Sequence, residues 1–470
     1  MGRSVGGREL GLIAVALGLS SCEAVGPDYL RPAAIVPSQY KEIKGWKLGE
    51  PRDDFDKGLW WVAFGDPELN ALEAQVAISN QTLKADEANY REAQALIAEA
   101  RAQLYPTLAL DGAAQRSSAS SSTSQTEATL SGATSWAPDI WGEVRRTIES
   151  QAAGAQASAA TLANAKLSAQ SSLATAYYEL RQTDSLHDLL DDTVKQDKRS
   201  LDITQNQYHA GTAAQSDFIT AQALVLAAQA QEVNTGVARA QFEHAVATLM
   251  GRPPEGLSIP HGGLGHGLPA IPVGVPSTLL ERRPDVAAAE RTMKQENALI
   301  GVAVAAYYPN ITLSGALGAA AFPGVPLAAS NPVWSYGLSI AQTVFNGGLT
   351  DAQVAAARAT YDSSVATYRQ TVLTAFQQVE DQLAALPVLA REESVQDKAV
   401  VAAKQAVQIA LNEYQAGTQN FTTVVTAEAT ELSDEESALT TREQRFAAAV
   451  ALIVALGGGW SEAQLPAVTK

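Results

Sequence analysis

The sequence predicts a mainly α-helical chain that also supplies strands to a membrane β-barrel. Three observations support this fold class. A short helix stop occurs twice, two stretches keep a helical repeat for some sixty residues, and a pair of alternating strands precedes each of them. We therefore predict a long coiled-coil barrel of helices, four transmembrane β-strands per chain and an internal two-fold sequence duplication.

Residues 1–21 have the features of a lipoprotein signal peptide. Two arginines precede an apolar run that is too short to span a bilayer as a mature helix. Cys22, the only cysteine, follows directly and resembles a lipid attachment site. A small buried thiol is the alternative. We favour lipidation at Cys22 and, because Glu23 rather than aspartate follows, sorting to the outer membrane.

Residues 22–66 form a predicted extended strap, lipid-anchored at its start. The segment is rich in proline, glycine and tryptophan and carries the adjacent pair Trp60 and Trp61. Tryptophans at this density are typical of a segment that packs against a neighbouring surface.

The first repeat, 67–251, starts with a predicted helix that runs from Pro67 to about Gln103. Strands are predicted at 107–116 and 127–137, where apolar residues alternate with small or polar ones. This alternation suits a barrel wall with lipid outside and water inside, although a soluble sandwich strand shows it too.

A helical hairpin completes the first repeat. Its first helix keeps apolar three- and four-residue steps over a length of roughly 95 Å, which indicates coiled-coil packing. The tip lies near residue 211, where Tyr208, Gly211 and Thr212 mark a helix stop, because glycine tolerates the left-handed conformation. A returning helix then ends near Gly251.

Residues 252–283 form a predicted equatorial linker rich in proline and glycine. It contains His261 and His266. No cysteine or carboxylate joins them in the sequence pattern, so solvated loop histidines are favoured over a metal pair.

The second repeat, 284–460, follows the plan of the first. Strands are predicted at 310–319 and 333–344, and the second tip lies near residue 417, with Tyr414, Gly417 and Thr418 placed 206 positions after their counterparts. A polar tail, 461–470, closes the chain.

The second long helix contains Pro387, where we expect a break or a kink. From Phe376 to Tyr414 this copy has about seven more residues than from Tyr177 to Tyr208 in the first copy. We expect these residues to form a local elaboration near Pro387.

Composition excludes several functional classes. The formal net charge is −17 and the pI about 4.8, which argues against a nucleic-acid partner. The five histidines are scattered, and no phosphate-binding or nucleotide fingerprint occurs. The acidic runs around Asp191 and Glu435 suit solvated helix faces better than a carboxylate site. The sequence therefore predicts no enzyme activity, no cofactor and no bound metal.

Four strands cannot close a barrel, and an open strand edge cannot lie in hydrocarbon. If the strands are transmembrane, several chains must share one wall. A purely structural coiled-coil rod would not explain four strands placed alike in both repeats.

Several motifs resemble those of a known family. They are residues 25–32, 60–67, 280–291 with Arg282-Arg283-Pro284-Asp285, 345–348 and the two Gly-Thr tips. Their order and the duplication resemble the TolC-like outer-membrane factor family, in its NodT-type branch of lipoproteins from resistance-nodulation-division (RND) efflux systems.

The resemblance implies a homotrimer with a twelve-stranded barrel in the outer membrane of a Gram-negative bacterium and helices in the periplasm. It implies a passive exit duct that conducts small molecules such as drugs. The partners would be a periplasmic adaptor, an inner-membrane RND-type pump and outer-membrane lipid. A conduit for type I protein secretion or metal efflux is the alternative.

The resemblance also implies that the hairpin tips form the periplasmic gate and contact the adaptor. Family members often place aspartates six or nine residues after the second tip glycine, where this chain has Thr423 and Thr426. An acidic ring from the second copy is therefore doubtful. Asp217, after the first tip, is the remaining acid, and it either supplies gate charge or caps the returning helix.

Overall fold

The computed structural model describes residues 24–34, 36–43, 58–118, 124–265, 267–269, 271, 281–321 and 332–467. Cys22 and His266 lie outside these ranges. A 3₁₀ helix at Trp60–Phe64 lies within the predicted strap, which is therefore not extended throughout.

Helices make up most of the described chain, and the predicted mainly helical fold with four strands is confirmed. The helices are α1 Pro67–Ser79, α2 Gln81–Ala102, α3 Glu143–His209, α4 Gln215–Leu249, α5 Pro284–Ala305, α6 Leu349–Gln415 and α7 Phe421–Ala455. Across the described ranges, no helix combines the length and the apolar composition that a bilayer crossing requires.

The strands form one antiparallel sheet in chain order. They are β1 Thr107–Ser118, β2 Ser124–Trp136, β3 Asn310–Ala321 and β4 Pro332–Ala341. Each pairs with its neighbours in sequence, and among the described residues nothing pairs with the outer edge of β1 or of β4.

The register places the large apolar side chains of the sheet on one face. They are Leu108, Leu110, Leu130, Trp136, Ile311, Leu313, Leu317, Trp334, Tyr336, Leu338 and Ile340. The opposite face carries mostly alanine, glycine, serine and threonine, together with Val333 and the polar residues Asp111, Gln115 and Asn310. Leu108, Leu110 and Tyr336 are about four-fifths exposed. An exposed apolar face of this kind suits contact with lipid.

The first helices of the two hairpins are equal in length, and this corrects two predictions about the second copy. α3 and α6 both contain 67 residues. The expected local elaboration is wrong: at the shared 206-residue offset, Leu383 rather than Phe376 corresponds to Tyr177. Of the break or kink expected at Pro387, the break is wrong, since α6 continues through this residue. Proline removes one helical hydrogen bond, and the buried neighbours Leu383 and Leu386 hold the helix by packing.

The predicted single helix from Pro67 to about Gln103 is also wrong, because it is divided at Asn80 into α1 and α2. The Asn80 side chain accepts from Leu83 N at 3.1 Å and donates to Leu249 O at 2.7 Å. Arg283 occupies the corresponding place in the second repeat and donates to Ala455 O at 3.0 Å. In both repeats, a side chain at the start of the short helix satisfies a carbonyl at the end of the returning helix.

The main core lies where the strap meets the middle of the long helices. Trp60 and Trp61 are almost fully buried, as expected for a strap that packs against a neighbouring surface. Phe64 contacts Tyr178 at 5.5 Å between ring centroids, and Tyr178 stacks on Phe446 of α7 at 4.5 Å. The core therefore joins the strap to both repeats.

The helices pack as neighbours in one layer. α3 packs on α2, α4, α5 and α7, whereas α6 packs on α5 and α7. Consequently α6 lies at one side of the layer, and α2 and α4 lie at the other.

Candidate functional site

The two hairpin tips have the same backbone structure. Gly211 and Gly417 have φ values of 74° and 73°, in the left-handed region. Their N–H groups donate to Tyr208 O and Tyr414 O, both at 2.9 Å. An added Cβ would meet nothing within 4 Å at either glycine. Glycine is therefore required by its backbone angle and not by lack of space.

Thr212 and Thr418 complete the helix stops. The N–H and the hydroxyl of Thr212 both donate to Gln207 O, at 2.9 and 3.0 Å. Those of Thr418 donate to Glu413 O, both at 3.0 Å. Each threonine thus satisfies a carbonyl that the helix end would leave unpaired.

The tip tyrosines have different surroundings. Tyr208 is 37% exposed and stacks on Phe218 with 6.0 Å between centroids. Tyr414 is only 5% exposed and contacts Phe421 at 5.2 Å. Tyr414 belongs to a small apolar cluster that includes Ala221 of α4. This cluster holds the two hairpins side by side at their tips.

Asp217 connects the first hairpin to the second. It is half-buried in the first turn of α4, where the helix dipole favours an acid, but the N-cap is Ala214 and no side chain caps this end. Burial and then the negative charge of Asp217 raise the pKa of Tyr414. The Tyr414 hydroxyl lies outside hydrogen-bond geometry to any described residue, so the coupling between the two is electrostatic.

Thr423 and Thr426 lie on the first turns of α7 and are exposed. The Thr423 hydroxyl donates to Asn420 Oδ1 at 3.1 Å, and that of Thr426 donates to Thr422 O at 2.9 Å. Both hydroxyls are thus engaged within their own helix end. These two positions, where members of the resembled family often have aspartates, therefore form an uncharged surface in this chain.

A buried acidic cluster lies between α3 and α7 and was not predicted. Ser200 donates to Glu428 Oε1 at 2.7 Å, while Glu428 Oε2 is buried and has no partner among the described residues. The pKa of Glu428 is raised to about 7, chiefly by burial and also by the charges of Asp197 and Glu431, while the hydrogen bond from Ser200 lowers it. Burial also raises the pKa of Asp197 to about 6 and, more weakly, that of Glu431. The one sign of this cluster in the sequence is Asp197 itself, an acid that falls among the apolar three- and four-residue steps of α3.

A second polar network fixes the linker to α3. Asp184, which is fully buried, accepts from Arg239 Nε at 2.7 Å and from Gly262 N at 3.1 Å. His261 pairs with Asp188, Nε2 to Oδ1, at 3.0 Å. His261 therefore belongs to this polar network and is not a free loop side chain. In the described part of the chain, no group of histidine, cysteine and acidic residues could hold a metal ion.

The exposed acids of α3 behave as predicted. Lys195 pairs with Asp191 at 2.7 Å and with Asp192 at 2.8 Å on an exposed helix face. On α7, Glu435 differs, because it is largely buried and binds Lys404 at 2.5 Å.

The first described residues of the strap are fixed at the junction of β2 and α3. Val25 N donates to Trp141 O at 2.9 Å, and Arg146 binds Val25 O at 3.1 Å and Asp28 at 2.9 Å. A Cβ on Gly142 would overlap Ala24. The chain that leads back to Cys22 therefore starts at the base of the sheet.

Comparisons with known proteins match nearly the whole chain. The sequence profile described as outer membrane efflux protein matches residues 72–252 and 275–458, one segment for each repeat. The toluene efflux pump outer membrane protein TtgC of Pseudomonas putida is 28% identical over 466 residues, 96% of each chain. Nodulation protein T of Rhizobium leguminosarum is 27% identical over 458 residues, 94% of this chain and 96% of that protein.

A solved structure has the same fold. That of the outer-membrane channel OprN has 29% identical residues and a TM-score of 0.86, and it covers 93% of this chain and 99% of its own. The predicted resemblance is thus confirmed at the level of sequence and of structure.

Proposed function

The chain belongs to the outer membrane efflux protein family, and we propose that it is the exit duct of a tripartite efflux system in the outer membrane of a Gram-negative bacterium. The duct conducts small molecules such as drugs from an inner-membrane pump and a periplasmic adaptor to the cell exterior. The observation that carries the proposal is the combination of a short apolar-faced sheet with helical hairpins roughly 100 Å long.

The sheet forms one third of the membrane wall in this proposal. Its apolar face meets lipid, and its face of small and polar residues lines water. Because the outer edges of β1 and β4 are unpaired among the described residues, an isolated chain would leave backbone groups unsatisfied in hydrocarbon. Three chains together give twelve strands and a closed barrel.

The edge helices support the same assembly. On α4, the exposed apolar residues Ile219, Leu226 and Val233 follow seven-residue steps. On α6, Val388, Val395 and Ile409 are exposed at multiples of seven. Heptad spacing is typical of seams between packed helices. We assign these seams to contacts between neighbouring chains of a homotrimer.

The lipid anchor is a further part of the proposal. Ala24, two residues after Cys22 in the sequence, lies against Gly142 at the base of the sheet, and this supports lipid attachment at Cys22. Two or more acyl chains give stable membrane attachment. Replacing Cys22 with serine should abolish palmitate labelling, and continued labelling would contradict this anchor.

The hairpin tips form the proposed periplasmic gate and adaptor contact. Gly211 with Thr212 and Gly417 with Thr418 fix the two chain reversals, and Tyr208 lies on the exposed side of the first tip. Asp217 and Tyr414 couple one hairpin to the other. Three copies of Asp217 would supply negative charge near the entrance, whereas Thr423 and Thr426 leave the second copy neutral.

The duct needs no cofactor in this account, because the pump supplies the energy. Among the relatives, one is named for toluene efflux and another for pyoverdine export, and this supports small-molecule cargo over secreted protein.

Deletion of the gene tests the proposed cargo. The deletion strain should become sensitive to several drugs, dyes or solvents, and the wild-type gene should restore tolerance. Sensitivity confined to metals, or loss of a secreted protein with unchanged drug tolerance, would contradict small-molecule efflux.

A further inference from the structure

Two buried carboxyl groups lie between the two hairpins with too few hydrogen-bond donors. Asp197 of α3 is 6% exposed, and in the described part of the chain it has no hydrogen-bond or ion-pair partner. Glu428 of α7 accepts from Ser200 Oγ at 2.7 Å through Oε1, while its buried Oε2 has no partner among the described residues. A buried carboxylate without donors is costly, whereas a neutral carboxylic acid supplies a donor of its own. The contact between α3 and α7 therefore suits protonated acids.

Four acids and one lysine meet where α3, α6 and α7 pack together. The acids are Asp197, Glu428, Glu431 and Glu435. Lys404 of α6 binds Glu435 at 2.5 Å and also attracts Glu431. The charges that act on Glu428 are those of the acids Asp197 and Glu431, and Lys404 is not among them. Ionisation of Glu428 would therefore add like charge to a buried contact.

The remaining surroundings supply no compensating cation. On α4, no titratable residue occurs between Asp217 and Glu232. The other charged residues of α3 in this region are exposed to solvent; they are Asp192, Lys195, Lys198, Arg199 and Asp202. Protonation is thus the means by which the described residues can neutralise Glu428 and Asp197.

The two carboxyl groups titrate near neutral pH. The pKa of Glu428 is raised to about 7 and that of Asp197 to about 6, in both cases chiefly by burial. Below these values both groups are neutral. Above them both are negatively charged in a buried contact, where repulsion is much stronger than in water.

The internal duplication provides an equivalent contact without titratable groups. α3 corresponds to α6, and α7 to α4, at an offset of 206 residues. Asp197 therefore corresponds to Ala403 and Glu428 to Gln222. α6 and α4 carry the exposed seams assigned above to contacts between copies. A change of pH consequently acts at the contact within a chain and not at the equivalent contact between chains.

The acidic contact lies close to the hairpin tips. Asp197 precedes Gly211, and Glu428 follows Gly417, by a distance of roughly 16–21 Å along the helices. The apolar cluster around Tyr414 lies between the acids and the tips. A separation of α3 from α7 at the acids would therefore spread the two tips.

We propose that Asp197 and Glu428 form a proton-controlled latch between the two hairpins of each chain. With protons on both carboxyl groups, α3 and α7 stay in contact and the periplasmic end of the duct is narrow. With both groups ionised, their repulsion separates α3 from α7 and widens that end. The proposal rests on the three-chain duct with its gate at the tips, as proposed above.

A bound metal ion or a buried water molecule is the competing explanation for such acids. In the described part of the chain, no group of histidine, cysteine and acidic residues could hold a metal ion. A water molecule that donates to Glu428 Oε2 would stabilise the ionised carboxylate. The contact would then not respond to pH, so a pH dependence distinguishes the latch from a bound water.

Conductance in a planar bilayer tests the latch in the purified full-length protein. Wild type should conduct severalfold more at about pH 8 than at about pH 5. Glu428→Gln stays neutral and should keep the low conductance at both pH values, and Asp197→Asn should show a smaller rise than wild type. Glu255→Gln, at an exposed glutamate of the linker, is the matched control and should behave as wild type.

Amide hydrogen exchange measures the contact itself, independently of conductance. Protection of residues 193–204 and 424–435, corrected for the intrinsic pH dependence of exchange, should fall in wild type between about pH 5 and about pH 8. The same protection should be retained in Glu428→Gln. An equal loss in both proteins, or no loss in wild type, would overturn the latch.

The outcomes separate the latch from the duct. A trimer that conducts equally at both pH values, or a Glu428→Gln trimer with the wild-type pH dependence, would overturn the latch and leave the duct intact. A wild-type trimer that dissociates as the pH rises would place the repulsion between chains and would also overturn the latch. A protein that forms no pore at either pH would overturn the duct, and the gating role with it.

Discussion

Gly211 and Gly236 both have open space around an added Cβ, but only Gly211 has a positive φ. We therefore expect Gly211→Ala to destabilise the tip by about 1–2 kcal/mol, because the left-handed conformation is costly for a residue with a side chain. Gly236→Ala, in the middle of α4, should instead stabilise its helix by about 1 kcal/mol or less.

Amide hydrogen exchange around residues 207–213 measures this difference. Faster exchange in Gly211→Ala and unchanged exchange there in Gly236→Ala would support the assignment. Equal exchange in both variants would contradict it. If the tips form the gate, pore conductance should also change in Gly211→Ala only.

Glu428 gives the molecule a predicted pH dependence. Its pKa is raised to about 7 from an ordinary 4.5. The stability that its protonated form contributes is fully present below about pH 4.5 and is lost as the pH rises through about 7. The melting temperature of wild type should therefore fall between about pH 5 and about pH 8 by more than that of Glu428→Gln.

An exposed glutamate is the matched control for this effect. Glu255→Gln, in the linker, should keep the wild-type pH dependence. If the melting temperature of Glu428→Gln fell with rising pH as much as that of wild type, the Glu428 carboxyl would be shown to remain ionised in the folded protein.

At the level of elements, α6 contains Pro387, and a proline in the interior of a continuous helix destabilises that helix. We expect Pro387→Ala to raise the free energy of unfolding by up to about 3 kcal/mol, because it restores one helical hydrogen bond and removes a clash. Pro67→Ala should change it little, since Pro67 is exposed at the first position of α1, where proline is favourable.

Denaturant titration of the two purified variants measures the effect. A stability of Pro387→Ala at or below that of wild type would mean that the proline holds α6 in a shape that its neighbours require.

The elements that were predictable are those whose signals are local. The tips follow from Gly211 and Gly417, which stop a helix through their own backbone angle. The alternation of Leu108 and Leu110 follows from a side-chain period of two. The signals are enough to identify both repeats and the chain reversals between them.

The features that were missed depend on contacts distant in sequence. The helix break at Asn80 is stabilised by Leu249 O, far along the chain. Glu428 and Asp197 become one cluster only because α7 of the second repeat packs on α3 of the first. The error at Pro387 has another origin: the packing of the buried residues Leu383 and Leu386 outweighs one lost helical hydrogen bond.

For the whole molecule, the open edges of the sheet and the exposed seams of α4 and α6 make the single chain incomplete. The same conclusion follows from the backbone of the sheet and from the side-chain spacing on the helices. The three-chain duct proposed above accounts for both, because each edge of one copy meets the opposite edge of the next.

The mass of the detergent-solubilised protein tests this central claim most directly. Native mass measurement should give three chains per particle, and the same particles should form conducting pores in a planar bilayer. A monomer or a dimer that conducts, or a trimer that forms no pore, would contradict the account of the chain as one third of an outer-membrane duct.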